Sequence, residues 1–167
     1  MAPLAGTDLT RSQYGRALVA LQGLHAHIEP LILAFLDQHP GLFDYRPRTK
    51  LEALNQDLET LGLAPAHPAT GPAAPTCVGQ LTGLLYTVEG ATLGGKFLAE
   101  RIRARHGTAL PLRFLAAYGE ATEARWQAFW QFADQLGADR HAAAIGAAQA
   151  AFAAYRDHFD SFQAMPD

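Results

Sequence analysis

Apolar residues recur at three- and four-residue spacing along most of the chain, and alternation at period two is nowhere sustained. That rhythm predicts helices and no strands. Tyr14, Leu18, Leu21, His25, Ile28, Ile32 and Phe35 fall on one stripe, so a long helix is expected over 10–37, opened by Thr10 as N-cap and stopped by His39-Pro40-Gly41. A second helix is expected over 46–61, closed by Gly62. Residues 64–76 carry Pro65, Pro68, Pro72 and Pro75, which forbid continuous helix and make an irregular loop inside one domain. Further helices are expected over 77–106, about 120–136 around Trp126, Phe129, Trp130 and Phe132, and an alanine-rich stretch near 139–162. The fold class implied is all-α, a single-domain helical bundle spanning 1–167.

One segment breaks the ordinary economy of a helix. Within 84–102, Leu84, Leu85, Val88, Leu93, Phe97, Leu98 and Ile102 keep a helical rhythm while Gly90, Gly94 and Gly95 interrupt it. Each interior glycine costs roughly 0.5–1 kcal/mol relative to alanine. Gly90 and Gly94 lie one turn apart, so a side-chain-free face is expected there, open to a broad flat group or to a tightly packed helix. The weakened ladder is also expected to kink or loosen the helix.

Composition narrows the classes of function. A length of 167 residues suits one domain that buries roughly 70% of its unfolded surface. The net charge of −3, with basic residues scattered, gives no electrostatic footprint for nucleic acid. No apolar run is expected to be long enough to span a bilayer. Met1-Ala-Pro-Leu-Ala-Gly6 lacks a basic region and an apolar core, so no secretory leader is expected. Cys77 stands alone, which excludes an intramolecular disulfide framework and suits a reducing cytoplasm.

Candidate chemistry is sparse outside the glycines. His25 on the apolar stripe reads as a buried histidine bonded to Glu29 one turn on, with axial ligation of a metal as the alternative. His27 points away around the helix and reads as solvated. His39, His67, His106, His141 and His158 fall at expected loops or helix ends. No Glu-x-x-His pair occurs, which argues against a di-iron carboxylate bundle. Cys77 has no neighbouring base that would make it a nucleophile. Trp126, Phe129 and Trp130 are either core or pocket wall. Arg101, Arg103 and Arg105 read as a solvated face, or as partners for carboxylates.

Leu85-Tyr86-Thr87-Val88-Glu89-Gly90-Ala91-Thr92-Leu93-Gly94-Gly95 resembles the distal helix of the biliverdin-producing heme oxygenases, especially the bacterial, bacteriophytochrome-associated type. The likeness extends to Asp8–Leu18, His25–Pro30, Asp57–Leu63 and Tyr118–Phe129, so it spans about residues 8–158. The resemblance implies a heme-oxygenase-like bundle with heme as substrate and cofactor, cleaved to biliverdin, iron and carbon monoxide with electrons from a ferredoxin or reductase. It implies that Gly90, Gly94 and Gly95 approach the macrocycle, with Tyr86 and Glu89 in the same motif. Lys96 and Arg101 then lie where propionates are met. Ala91 stands where many members carry an Asp that organises oxygen-activating water, and an arginine such as Arg46 or Arg48 is implied in its place. The first helix of the family, with its proximal histidine, has no counterpart in this sequence, so weak heme binding, slight turnover and possible homodimerisation through the uncovered face are expected. A non-catalytic binding or interaction module is the alternative, and a thiaminase-like enzyme a more distant one.

Overall fold

The computed structural model describes residues 9–163. The N-terminal leader question and Asp8 lie outside them. Among the described residues there are six α-helices and no strand: α1 (Arg11–Asp37), α2 (Leu51–Leu61), α3 (Val78–His106), α4 (Arg113–Ala116), α5 (Thr122–Ala133) and α6 (His141–Gln163).

α1 starts where expected. Thr10 accepts from Gln13 N while the Gln13 side chain answers Thr10 N, a reciprocal capping box. Gly62 closes α2 in the left-handed conformation at φ 74°. The expected start of α2 at residue 46 is corrected. Arg46–Arg48 forms a single 3-10 turn and Thr49 is extended, because Pro47 fits a tight first turn but the chain must bend to bring Arg48 and Lys50 inward. α5 and α6 likewise begin at Thr122 and His141, each after a 3-10 turn, and α4 was not anticipated.

Two short helices lack side-chain caps of their own and borrow them from elsewhere. Glu29 of α1 accepts from the backbone of Lys50 (2.7 Å) and Leu51 (3.3 Å) at the start of α2. Asp57 of α2 accepts from Arg113 N (3.2 Å) and Phe114 N (3.0 Å) at the start of α4. Buried carboxylates thus answer orphan N–H groups across the bundle, where the helix dipole also favours them. The proline-rich loop is tied down similarly: Ala69 N donates to Gly23 O, Ala66 N to the Gln22 side chain, and His27 bonds Pro72 O at 2.9 Å. His27 is therefore a loop anchor and not a solvated residue.

α1 is the bundle's central rod, with Tyr14, Leu18, Leu21, Leu24, Ile28 and Ile32 buried. By length and composition it could cross a membrane, with a mean hydropathy of 1.4 in its most apolar window, contrary to the expectation from uninterrupted runs. Most of that window is buried against α2, α3 and α6, so its apolar positions are used in the core.

α3 runs unbroken through its glycines. Leu84, Leu85, Val88, Leu98 and Ile102 hold one face in the core on both sides of them. At 100° per residue, Gly79, Gly83, Tyr86, Gly90, Leu93, Gly94 and Phe97 all point within about 50° of one direction, opposite that core face. α6 covers the first part of this stripe. A Cβ at Gly79 would meet Arg140 O at 2.7 Å, and one at Gly83 would overlap Ala144 O and lie 2.8 Å from both the Ala147 methyl and Ala148 N. Beyond Gly83 α6 still reaches the stripe through Phe152, whose ring lies edge-on to Tyr86.

Candidate cofactor site

Beside the α3–α6 contact at Gly83, a cleft of about 680 Å3 opens between α3, α5 and α6. Tyr86, Phe129, Trp130, Ile145 and Phe152 wall it, and His141 stands at its edge. The volume lies in the usual range for small-molecule and cofactor sites. Tyr86 is the hub of the aromatic wall, its ring centroid 5.8–6.2 Å from those of Trp126, Phe129, Trp130 and Phe152. Trp130 is 43% and Phe152 51% exposed, so these rings line a surface and do not fill a core. Phe129 alone of the wall is fully buried.

The three sequence-predicted glycines have three different environments. Nothing lies within 4 Å of a Cβ built at Gly94, so that position faces open space. Gly90 has only the Trp126 ring edge at 3.5 Å. Gly95 is buried, its missing Cβ 3.1 Å from Leu115 O, and serves the close passage of α4. The stripe also carries Leu93 and Phe97, the latter 59% exposed, with the Arg101 guanidinium 5.7 Å from the Phe97 ring centre. Lys96 is exposed nearby.

Glu89 and Arg48 sit on the other side of α3, inside the protein. Glu89 is 1% exposed and takes Arg48 at 2.8 Å, Lys50 at 3.1 Å and the Tyr118 hydroxyl at 2.7 Å. Lys50 Nζ also donates to Arg48 O and to Tyr118 Oη, and Arg48 donates to Arg125 O and lies over Phe43. Lys50 and Tyr118 were missed as members of this cluster, and Tyr45 borders it with its ring 5.8 Å from Lys50 Nζ. Sequence spacing carries no sign of it, since the members come from 45–50, Glu89 and Tyr118. Burial, opposed by Glu89, pulls the Lys50 ammonium below the ordinary lysine value. Burial and the nearby Glu89 carboxylate push the Tyr118 phenol far up, so it stays a donor. Arg46, by contrast, pairs with Asp37 at the surface.

His25 is fully buried one layer away. Its Nδ1 bonds Glu29 at 2.9 Å and the Tyr155 hydroxyl approaches Nε2 at 3.4 Å, so both ring nitrogens are engaged. Burial on its own would raise the Glu29 carboxyl, but the His25 bond and charge, then the Lys50 backbone bond and charge, hold it below the usual glutamate value. A depressed folded value means stability that is complete above the unfolded value near 4.5 and is lost as pH falls through the lower one. Melting temperature is therefore expected to fall on acidification below that point. Glu29→Gln should flatten this acid limb; an unchanged pH profile in the variant would refute the assignment.

Gly94 leaves open backbone, Trp126 covers Gly90, aromatic rings wall the cleft, and Lys96 and Arg101 follow along α3. Among the described histidines, His141 is the one that borders the cleft, with Nε2 3.2 Å from Leu136 O. No cluster of metal-ligating side chains occurs among the described residues.

A solved structure of the NO- and CO-bound heme oxygenase from Neisseria meningitidis superposes on 99% of this chain and 82% of its own, with a TM-score of 0.73. The chain has the heme oxygenase fold. Identity to that structure is 24%. A protein described as heme oxygenase from Xanthomonas campestris pv. campestris is 36% identical over 109 residues, which is 64% of this chain and 64% of the relative's own length. No family model matches the chain. The chain spans about 64% of the length of the relative it matches in sequence.

Proposed function

We propose that the open α3 stripe and its aromatic cleft bind heme, and that the protein acts as a biliverdin-producing heme oxygenase of the bacterial, bacteriophytochrome-associated type. The observation that carries this is the unfilled space over Gly94, on an exposed stripe of α3 that also carries Leu93 and Phe97 and whose Tyr86 walls the cleft. Gly90 and Gly94 admit the macrocycle to the backbone of α3, and Tyr86 stacks or edges against it. Lys96 and Arg101 meet the propionates as charge-assisted donors. Heme supplies the oxygen-binding iron and is itself the substrate. Glu89 and Arg48 act behind the helix, holding its register, while Gly95 lets α4 pack close. The electrons come from a ferredoxin or reductase in the cytoplasm. With no partner or heme, the exposed apolar stripe is a surface through which two copies would associate.

A second reading, a heme-binding module without turnover, is favoured by the engagement of both His25 nitrogens. On this chain alone heme is then held by burial and ion pairing, weakly. Titration with hemin followed by single turnover with ascorbate tests both readings. His25→Ala is expected to leave the Soret position unchanged; a sharp Soret band abolished by that change would make His25 the ligand. Gly94→Leu gives an independent check. It should gain up to about 1 kcal/mol of helix stability while reducing hemin uptake, and a higher melting temperature with undiminished uptake would exclude the stripe as the site.

A further inference from the structure

The glycines of α3 meet two different kinds of neighbour. A Cβ at Gly79, Gly83 or Gly95 would press on backbone, the carbonyl oxygens of Arg140, Ala144 and Leu115 respectively. Backbone cannot turn aside, so helix packing accounts for glycine at those three positions. Gly90 differs. Its neighbour is the far edge of one side chain, the Trp126 indole, 3.5 and 3.7 Å from the absent methyl, which is ordinary contact for an alanine. Alanine is the better helix former and would fit there. Gly94 has no neighbour within 4 Å at all. While the indole lies over it, then, Gly90 has no packing reason to be glycine, and it acquires one only when something flatter comes closer to α3 than the indole does.

The indole is held by rings alone. It stacks on Phe129 at 5.2 Å and 18°, meets Trp130 edge-on at 5.4 Å and lies at 45° to Tyr86 at 5.8 Å. Among the described residues no hydrogen bond fixes its N–H. Phe129 is fully buried, whereas Trp126 is only partly so, beside the cleft that Tyr86, Phe129 and Trp130 wall. We infer that Trp126 is a hinged cover over Gly90, closed in this structure and turned aside by the edge of a planar tetrapyrrole. This rests on the cofactor reading above and adds what selects the ligand. Only a broad flat ring restores the aromatic contacts that the indole gives up on turning, so small or strongly bent molecules do not open it.

A fixed wall and a movable cover give opposite signs for one substitution. Removing a wall weakens binding, while removing a cover speeds entry. A cover open in about one molecule in ten slows uptake about tenfold, so hemin uptake followed by stopped flow at the Soret band should be about tenfold faster in Trp126→Ala, with Trp126→Phe in between. Gly90→Ala should raise the melting temperature and weaken hemin binding, because its methyl stands where the macrocycle would approach. Trp126 is the remaining tryptophan in Trp130→Phe, so fluorine NMR of that variant labelled with fluorotryptophan reads the cover with no porphyrin added. Exchange with a minor open state is expected, and Gly90→Leu should make that state the major one. Unchanged or slower uptake by Trp126→Ala would make the indole a fixed wall and overturn the inference, as would a fluorine signal free of exchange. Hemin uptake by neither protein, with exchange still present, would refute the cofactor site and leave the moving indole standing.

Discussion

Replacing Glu89 by Gln is expected to cost about 3–5 kcal/mol, because it leaves Arg48 and Lys50 as buried cations without their shared counter-ion. Against a typical domain stability of 5–15 kcal/mol, that brings the protein to the edge of unfolding. The side chain's isosteric shape does not help, since desolvation of two cations and not packing is what the carboxylate offsets. Chemical denaturation monitored by circular dichroism gives the answer. A loss under about 1 kcal/mol would mean that Lys50 sheds its proton or that Tyr118 and backbone carbonyls satisfy both cations unaided. Replacing Lys50 by Met in the Glu89→Gln background should recover part of the loss, because one unpaired charge is then removed.

Gly83→Ala is expected to destabilise by about 2–3 kcal/mol net, although alanine is the better helix former by up to about 1 kcal/mol. The added methyl would overlap Ala144 O and press on Ala147 and Ala148, so α6 must move off α3 as a unit. Backbone atoms cannot swing aside as a side chain does. The same substitution at Gly94, three turns along the same stripe, should raise stability, because no atom lies within 4 Å of the new methyl. Opposite signs at two glycines of one helix separate packing from access. Thermal melts of both variants decide it, and a stabilising Gly83→Ala would show that α6 does not lie against α3 in solution.

These contrasts show how much the chain's pattern discloses. The existence and approximate extent of α1 and α3 follow from apolar periodicity, Thr10 marks the start of α1 and Gly62 the end of α2 as capping chemistry requires, and the prolines of 64–76 keep that stretch out of helix. His25 with Glu29 is legible because four residues is one turn. The glycines announce a close approach but not of what. Gly79 and Gly83 carried the helix–helix contact, and the clue was available in Ala143, Ala144, Ala147 and Ala148, small residues at matching spacing on the last helix.

By itself, then, the sequence determined the all-helical class, the helix ends and the stripe of α3 that lacks side chains, since these depend on contacts within a few residues. Only the tertiary structure decided which glycines are covered and which stay open, and that Glu89 and Arg48 face inward to Lys50 and Tyr118. Helix rotation and crossing are set by long-range packing of faces, and a one-dimensional rhythm carries the width of a face without naming its partner.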